Sequence, residues 1–262
     1  MSSPVALVTG ASSGIGRAVA SMLSAEGYDL VLCARREDAL EALASELREQ
    51  HETDVMVRPV DLVDLNDVSA IVPELLEHFG RLDVLINNAG MVEKSSLQEM
   101  PMGFMQRAMA VHAIAPAILV RDAWAALAEA DRGVVVHVST VSTLSPFPGL
   151  AAYAMSKHAL EGLARSIQAE SEEQGLGIVS LVIAPGAVDT DALRSVLEGI
   201  EPPAEALVPM DEITSLFLAC IGGKHDQEAG GVIYIPAPGV VTADAERAME
   251  ALEACWGGPG EG

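Results

Sequence analysis

Lysine is scarce in this chain. Only Lys94, Lys157 and Lys224 occur among 262 residues, and 15 basic residues face 38 acidic ones for a net charge of −23. Such a surface repels a phosphate backbone, which argues against nucleic acid as a partner. Any single lysine therefore invites the question of why it is there. Cysteine is sparse as well: Cys33, Cys220 and Cys255 lie far apart and form no C-x-x-C pair. Neither a disulfide framework nor a zinc site is suggested, and the thiols are expected to be reduced. No uninterrupted apolar run reaches the length of about 18 residues that spans a bilayer. The start "MSSPVALVTG" lacks a basic region, an apolar core and a cleavage site. A soluble, cytoplasmic protein without membrane association is expected. Low-complexity linkers and short repeats are also missing, so a single domain over 1–240 is expected, followed by a tail, 241–262, with room for a short helix.

What is present is alternation. "VALVTG" reads as a strand, "GRAVASMLSAEG" as a helix and "YDLVLCA" as a strand; "EDALEALASELREQ", "DVMVRPVD", "LNDVSAIVPELLEHFG" and "LDVLIN" continue the pattern. A helical stretch near 101–130 follows, then the strand "GVVVHVS", a long helix near 151–174, the strand "GIVSLVIA", a helix near 210–222 and the strand "GVIYI". Repeated βαβ crossovers predict an α/β fold, a doubly wound parallel sheet with helices on both faces. The segment 189–209 has no clean period, carries Pro202 and Pro203, and follows a strand end, as a lid or specificity loop would.

Between the first strand and first helix stands "TGASSGIG". Gly10, Gly14 and Gly16 let the backbone turn sharply, and the turn residues Ser12, Ser13 and Ile15 lead into a helix amino terminus whose free N–H groups suit a pyrophosphate. The spacing G-x-x-x-G-x-G differs from the general dinucleotide fingerprint, so its context, strand before and helix after, carries the assignment. The second strand ends in "CARRED", with Arg35 and Arg36 ahead of any carboxylate. Arginines at that point accommodate a ribose 2′-phosphate, so NADP(H) is the preferred cofactor, with Arg35 as the leading reader and NAD(H) still possible.

These residues, together with Asp61 after the third strand, "NNAG" at 87–90, Tyr153-x-x-x-Lys157 and "PGAVDT" at 185–190, resemble the short-chain dehydrogenase/reductase family over nearly the whole chain. Five motifs in order make the resemblance specific. It implies a Rossmann fold of about seven parallel strands and hydride transfer between NAD(P)(H) and a carbonyl or alcohol. It also implies that Asp61 and Leu62 lie by the adenine, that Asn88, Ala89 and Gly90 support the cofactor loop, and that Pro185, Gly186, Val188 and Thr190 line the nicotinamide side.

Physical chemistry makes the Tyr–Lys spacing intelligible. On a helix, positions i and i+4 share a face, so Lys157 can approach the Tyr153 phenol and stabilise its phenolate. Tyr153 then serves as general acid in reduction and general base in oxidation. By the resemblance, Lys157 also holds the nicotinamide ribose. Two departures stand out. The family's serine, thirteen residues before the tyrosine, is Thr140 here, with Ser142 as the second choice and Ser139 close by. The family's relay asparagine is His112, which can orient a water, shuttle a proton, or simply fill a helix position. His137, on a central strand, reads as a satisfied core histidine, and no residue cluster suggests a metal.

Met91, Val92, Leu144, Phe147, Val188 and Leu193 are expected to wall a mostly apolar pocket for a small-molecule ketone, aldehyde or secondary alcohol. Alanine-rich helix faces such as "AWAALAEA" suggest, by analogy with the family, a homodimer or homotetramer. A cofactor-binding sensor or scaffold without turnover is the alternative function, motivated by Thr140 and His112. The acidic excess itself yields a test. If the surface is adapted to high salt, thermal melts will show the midpoint rising as KCl increases from about 0.1 M, where screening is already partial; no gain with added salt sinks that idea.

Overall fold

A computed structural model describes residues 3–256. The chain runs β1 (Val5–Thr9), α1 (Gly14–Ala25), β2 (Asp29–Ala34), α2 (Glu37–His51), β3 (Val55–Pro59), α3 (Leu65–Phe79) and β4 (Val84–Asn87). It continues with α4 (Met102–Met109), α5 (Ala115–Glu129), β5 (Val134–Val138), α6 (Ala151–Gln174), β6 (Val179–Pro185), α7 (Asp191–Leu197), α8 (Met210–Ile221), β7 (Val232–Ala237), β8 (Val240–Thr242) and α9 (Ala245–Trp256).

Strand residues alternate between two buried faces, as a sheet covered on both sides requires. Ala6 and Val8 of β1 join an apolar cluster with α1, α2 and α8. Val5 and Leu7 point the other way, into a cluster with α3 and α5 that also takes in Ile167 of α6. The strand order is β3-β2-β1-β4-β5-β6-β7-β8, and β1 through β7 are parallel. The order reverses between β1 and β4, and the crevice at that switch point is where open α/β sheets bind ligands. The expected doubly wound α/β fold is therefore present.

The seven parallel strands expected are β1 to β7. The carboxyl-terminal segment adds an eighth, β8, which turns back through Pro238 and Gly239 and pairs antiparallel with β7, Ala237 opposite Val240. Three residues of edge strand are too short to register as a strand pattern. The short helix for which the tail has room is α9, and its Ala248 packs against Ala184 and Tyr234. Residues 257–262 of the expected tail lie outside the described residues.

The stretch near 101–130 is one helical run interrupted by a π-helical turn, Ala110–Ile114. Met102–Glu129 has the length and mean hydropathy, 1.3, of a membrane span, and half of its most apolar window is buried inside the protein. A core helix meets the same two criteria. Polar Gln106, Arg107, Arg121 and Asp122 break its apolar run in the sequence. The docking of α9 is directly testable. Leu252, 5% exposed, should cost about 2–5 kcal/mol when truncated to alanine, measured by urea unfolding; a change below about 0.5 kcal/mol, typical of surface positions, would mean that α9 does not dock.

Candidate active site

The carboxyl ends of β1, β4, β5 and β6 converge on one crevice. At its floor the Thr9 hydroxyl joins two loops: it donates to Ile86 O (3.1 Å) and accepts from the backbone N–H of Asn88 (3.0 Å) and Ala89 (3.1 Å). The Asn88 amide donates to Thr9 O at 2.8 Å. The packing is tight enough to demand glycine, since a Cβ on Gly10 would stand 2.7 Å from Asn88 Nδ2 and 2.8 Å from Ala89 Cα.

The α1 amino terminus opens onto this floor. Ser13 caps it without a side-chain hydrogen bond, and no acidic residue occupies its first turn. The bare N–H groups and positive dipole end fit a pyrophosphate, so the residues present suit a dinucleotide. Thr190 reaches across from the far side: its Cγ2 lies 3.1 Å from where a Gly14 Cβ would stand. Arg36, not Arg35, folds back over the turn, its Nη2 donating to Ser12 Oγ at 3.1 Å. Arg35 is exposed beside it. Asp61 is exposed at the end of the third strand's loop, and Leu62 is buried beneath it.

Tyr153, Thr140 and Lys157 come together where β5 meets α6. Burial raises the Tyr153 phenol above its ordinary pKa, and the neighbouring Thr140 hydroxyl pulls it back. Thr140 also donates to Ser142 Oγ (3.2 Å) and accepts from the Ser142 N–H (3.2 Å), so both candidate hydroxyls sit on one short turn. Lys157 stands beside the tyrosine ring: Nζ is 5.8 Å from the Tyr153 ring centroid and donates to Val138 O at 2.7 Å. Desolvation lowers its pKa to about 7, against the opposing pull of Glu161.

His112 is 1% exposed and both its ring nitrogens are engaged. Nε2 accepts from the Met91 N–H (2.9 Å), which places the proton on Nδ1, and Nδ1–H donates to Ser156 Oγ (2.7 Å). Ser156 in turn donates to Tyr153 O at 2.8 Å. Burial, then Lys157, hold the imidazole well below its usual pKa. A neutral ring with two protein partners braces the β4 loop against α6. The π-turn that carries it widens the helix at this point, as such turns do at functional sites.

His137 departs from the expected satisfied histidine. Its Nδ1 lies 3.3 Å from Asn87 Nδ2, but His137 Nε2 and Asn87 Oδ1 have no hydrogen-bond partner. Burial, then Lys157, lower its pKa to about 3.

The expected pocket residues divide. Met91 packs beside Met100, Phe104 and Ala152, Val92 and Leu193 are half-buried, and Phe147 is exposed at the rim. Val188, 5% exposed, belongs to the apolar core with Ile183 and Phe217. Leu144 packs toward Ala184 and Tyr234, on the α9 side. The segment 189–209 leaves β6 and returns to it, closed at its base by the Val208 N–H donating to Ala187 O (2.7 Å). Lys94 in the β4 loop pairs with Glu198 on this segment at 3.2 Å. Pro185 ends β6, and beside it Gly186 lies against Pro236 O, where no Cβ fits. Thr9 and Ser156 escaped the sequence-based assignment; both are small hydroxyls whose role appears only when distant loops meet.

Comparison with known proteins places this geometry. The profile of the short chain dehydrogenase family matches residues 4–201. The chain belongs to the short-chain dehydrogenase/reductase family. It is 33% identical over 192 residues to mouse "Dehydrogenase/reductase SDR family member 7B", covering 71% of this chain and 58% of that protein. The chain thus spans less than two thirds of that relative's length. Among solved structures it resembles an alcohol dehydrogenase from the archaeon Thermococcus sibiricus complexed with 5-hydroxy-NADP, at 26% identity, TM-score 0.78, 89% of this chain and 96% of that one. It also resembles a single-substitution variant of the actinorhodin polyketide ketoreductase with NADPH, at 25% identity, TM-score 0.82, 90% of this chain and 96% of that one.

The two buried histidines generate a stability prediction. Folded, both rings stay neutral well below pH 6.5; unfolded, each takes up a proton near pH 6.5. The unfolded state binds more protons in that window, so stability falls as pH drops below about 6.5 and is untouched by these groups above it. His137→Asn should make the fall between about pH 6 and 4 shallower by roughly 1.4 kcal/mol per pH unit, read from urea melts at each pH; an unchanged slope contradicts a neutral His137.

Proposed function

We propose that the chain is an NADP(H)-preferring oxidoreductase that acts on a ketone, aldehyde or secondary alcohol. One observation carries this: a phenol beside the Thr140 hydroxyl, one helical turn from a buried lysine, stands at the sheet end that faces the bare α1 amino terminus. When bound, the nicotinamide supplies or accepts the hydride. Gly10, Ser12, Ser13, Gly14, Ile15 and Gly16 would cradle its pyrophosphate; Arg36 over Ser12, with Arg35 beside it, would take the 2′-phosphate. Asn88, Ala89 and Gly90 form the adjoining wall, with Thr190 opposite.

In the direction of reduction, Thr140 donates to the substrate carbonyl oxygen and Tyr153 gives that oxygen its proton. Burial keeps the phenol protonated at neutral pH, the form this step requires. The phenolate left behind is stabilised by the Lys157 ammonium one turn away. Met91 and Val92, with Phe147 exposed at the rim, would present an apolar wall, and the Met91 thioether adapts to irregular shapes. The groove between α5 and α6, lined by Ala117, Val120, Trp124, Leu163 and Ile167, supports a homo-oligomer.

A ketone panel with NADPH and NADH, run beside cofactor titration, tests the proposal. Tyr153→Phe should lower kcat by about 10²-fold or more, and Arg36→Ala should raise KM for NADPH about tenfold, the worth of one charge-assisted bond, without changing that for NADH. Cofactor binding with no turnover on any ketone would instead favour a sensor or scaffold.

A further inference from the structure

Three consecutive residues at the end of β5 face three positions of α6 spaced one turn apart. Thr140 stands beside the Tyr153 phenol, Val138 O accepts from Lys157 Nζ at 2.7 Å, and the Ser139 hydroxyl donates to Glu161 Oε1 at 2.6 Å. Positions 153, 157 and 161 follow the i, i+4, i+8 rule and share a helix face. The proton-transfer scheme uses the first two and leaves Glu161 without a part.

Glu161 is 6% exposed. A carboxylate in the middle of a buried helix face is costly unless it has partners. Ser139 supplies a hydrogen bond to Oε1, and exposed His158 Nδ1 lies 3.8 Å from Oε2. Its charge acts across one turn on Lys157, favouring the ammonium against desolvation. From β7, Tyr234 senses both Glu161 and Arg165, the arginine one turn further on. Around Lys157 the other titratable groups are His112, His137 and Tyr153; both histidines are held neutral. Among the described residues, Glu161 is thus the one acidic side chain found to raise the proton affinity of Lys157.

We propose that Glu161 is a positioning residue for the proton-transfer pair: its buried carboxylate, anchored by Ser139, keeps Lys157 charged and seated on Val138, and so sets the alkaline limit of reduction. This rests on the assignment of Tyr153 and Lys157 made above. Burial raises the phenol, so the first charge lost on raising pH is that of Lys157, whose ammonium titrates at about 7.

The experiment is the pH profile of kcat/KM for ketone reduction with NADPH. Glu161→Gln should move the alkaline limb down by roughly one pH unit or more, an activity loss of about tenfold at pH values above the limb. Glu161→Asp, which keeps the charge, should restore most of that shift. Ser139→Ala, which keeps the carboxylate but removes its anchor, should move the limb the same way by less. A limb that stays in place in Glu161→Gln while kcat merely falls, or equal behaviour of the Gln and Asp variants, overturns the proposal. Should Glu161→Gln fail to fold, an unmoved limb in folded Ser139→Ala overturns it. Tyr153→Phe is measured alongside: full turnover there defeats the underlying assignment, whereas lost turnover with an unmoved Glu161→Gln limb defeats only the role of Glu161.

Discussion

The Lys157 ammonium donating to the last carbonyl of β5 is the contact on which the site depends. A buried cation needs an oxygen within reach, and Val138 O is the one this fold provides. Meeting that need fixes how α6 lies along the sheet, and the register of α6 then decides where Tyr153, Ser156 and Glu161 fall. Tyr153 falls beside Thr140, Ser156 bonds His112, and Glu161 accepts from Ser139. The ammonium also acts at a distance. It lowers the proton affinity of both His112 and His137, so one positive charge is concentrated on one atom instead of being shared among three bases.

The two faces of the sheet serve different ends. One is apolar from α2 to α8, the packing expected of a stabilising core. The other, beneath α6 and the π-turn, is apolar only away from the crevice. Near the crevice it carries Asn87, His112, His137, Ser139 and Ser156, all buried. Asn87 Oδ1 and His137 Nε2 have no partner there. Buried polar groups left unpaired cost stability, and their concentration beside Tyr153 and Lys157 follows the pattern of proteins that accept local strain at functional sites.

The surroundings of the site are drawn from both ends of the chain. Lys94 and Glu198 link the β4 loop to the segment beyond β6, while the Ser95 N–H bonds Gly149 O just ahead of α6. Family similarity extends through residue 201, yet the segment after it returns to the end of β6, where the Val208 N–H bonds Ala187 O. α9 packs through Ala248 on Ala184 and Tyr234, against which Leu144 also rests. β8 covers the outer edge of β7, so that row of backbone groups is paired within the chain.

Local chemistry was legible in the sequence because it repeats over short distances. Alternating apolar runs announced the parallel sheet, the glycines of "TGASSGIG" announced the turn, and the spacing of Tyr153 and Lys157 placed them on one helix face. The thirteen-residue interval that singled out Thr140 came instead from the family resemblance. What depends on residues far apart in the chain was not legible. That Arg36 curls back to Ser12 while Arg35 stays exposed beside it depended on the fold of the turn. His112 became a brace because Met91 and Ser156 arrive from different elements to engage both nitrogens. Val188 was drawn into the core and Leu144 toward α9 by packing that no local pattern encodes. The sequence alone thus determined the fold and the inventory of reactive groups, since periodicity and turn chemistry act within a few residues. Tertiary structure decided which of those groups are buried, charged and paired, since desolvation and hydrogen bonding depend on whatever the rest of the chain brings alongside.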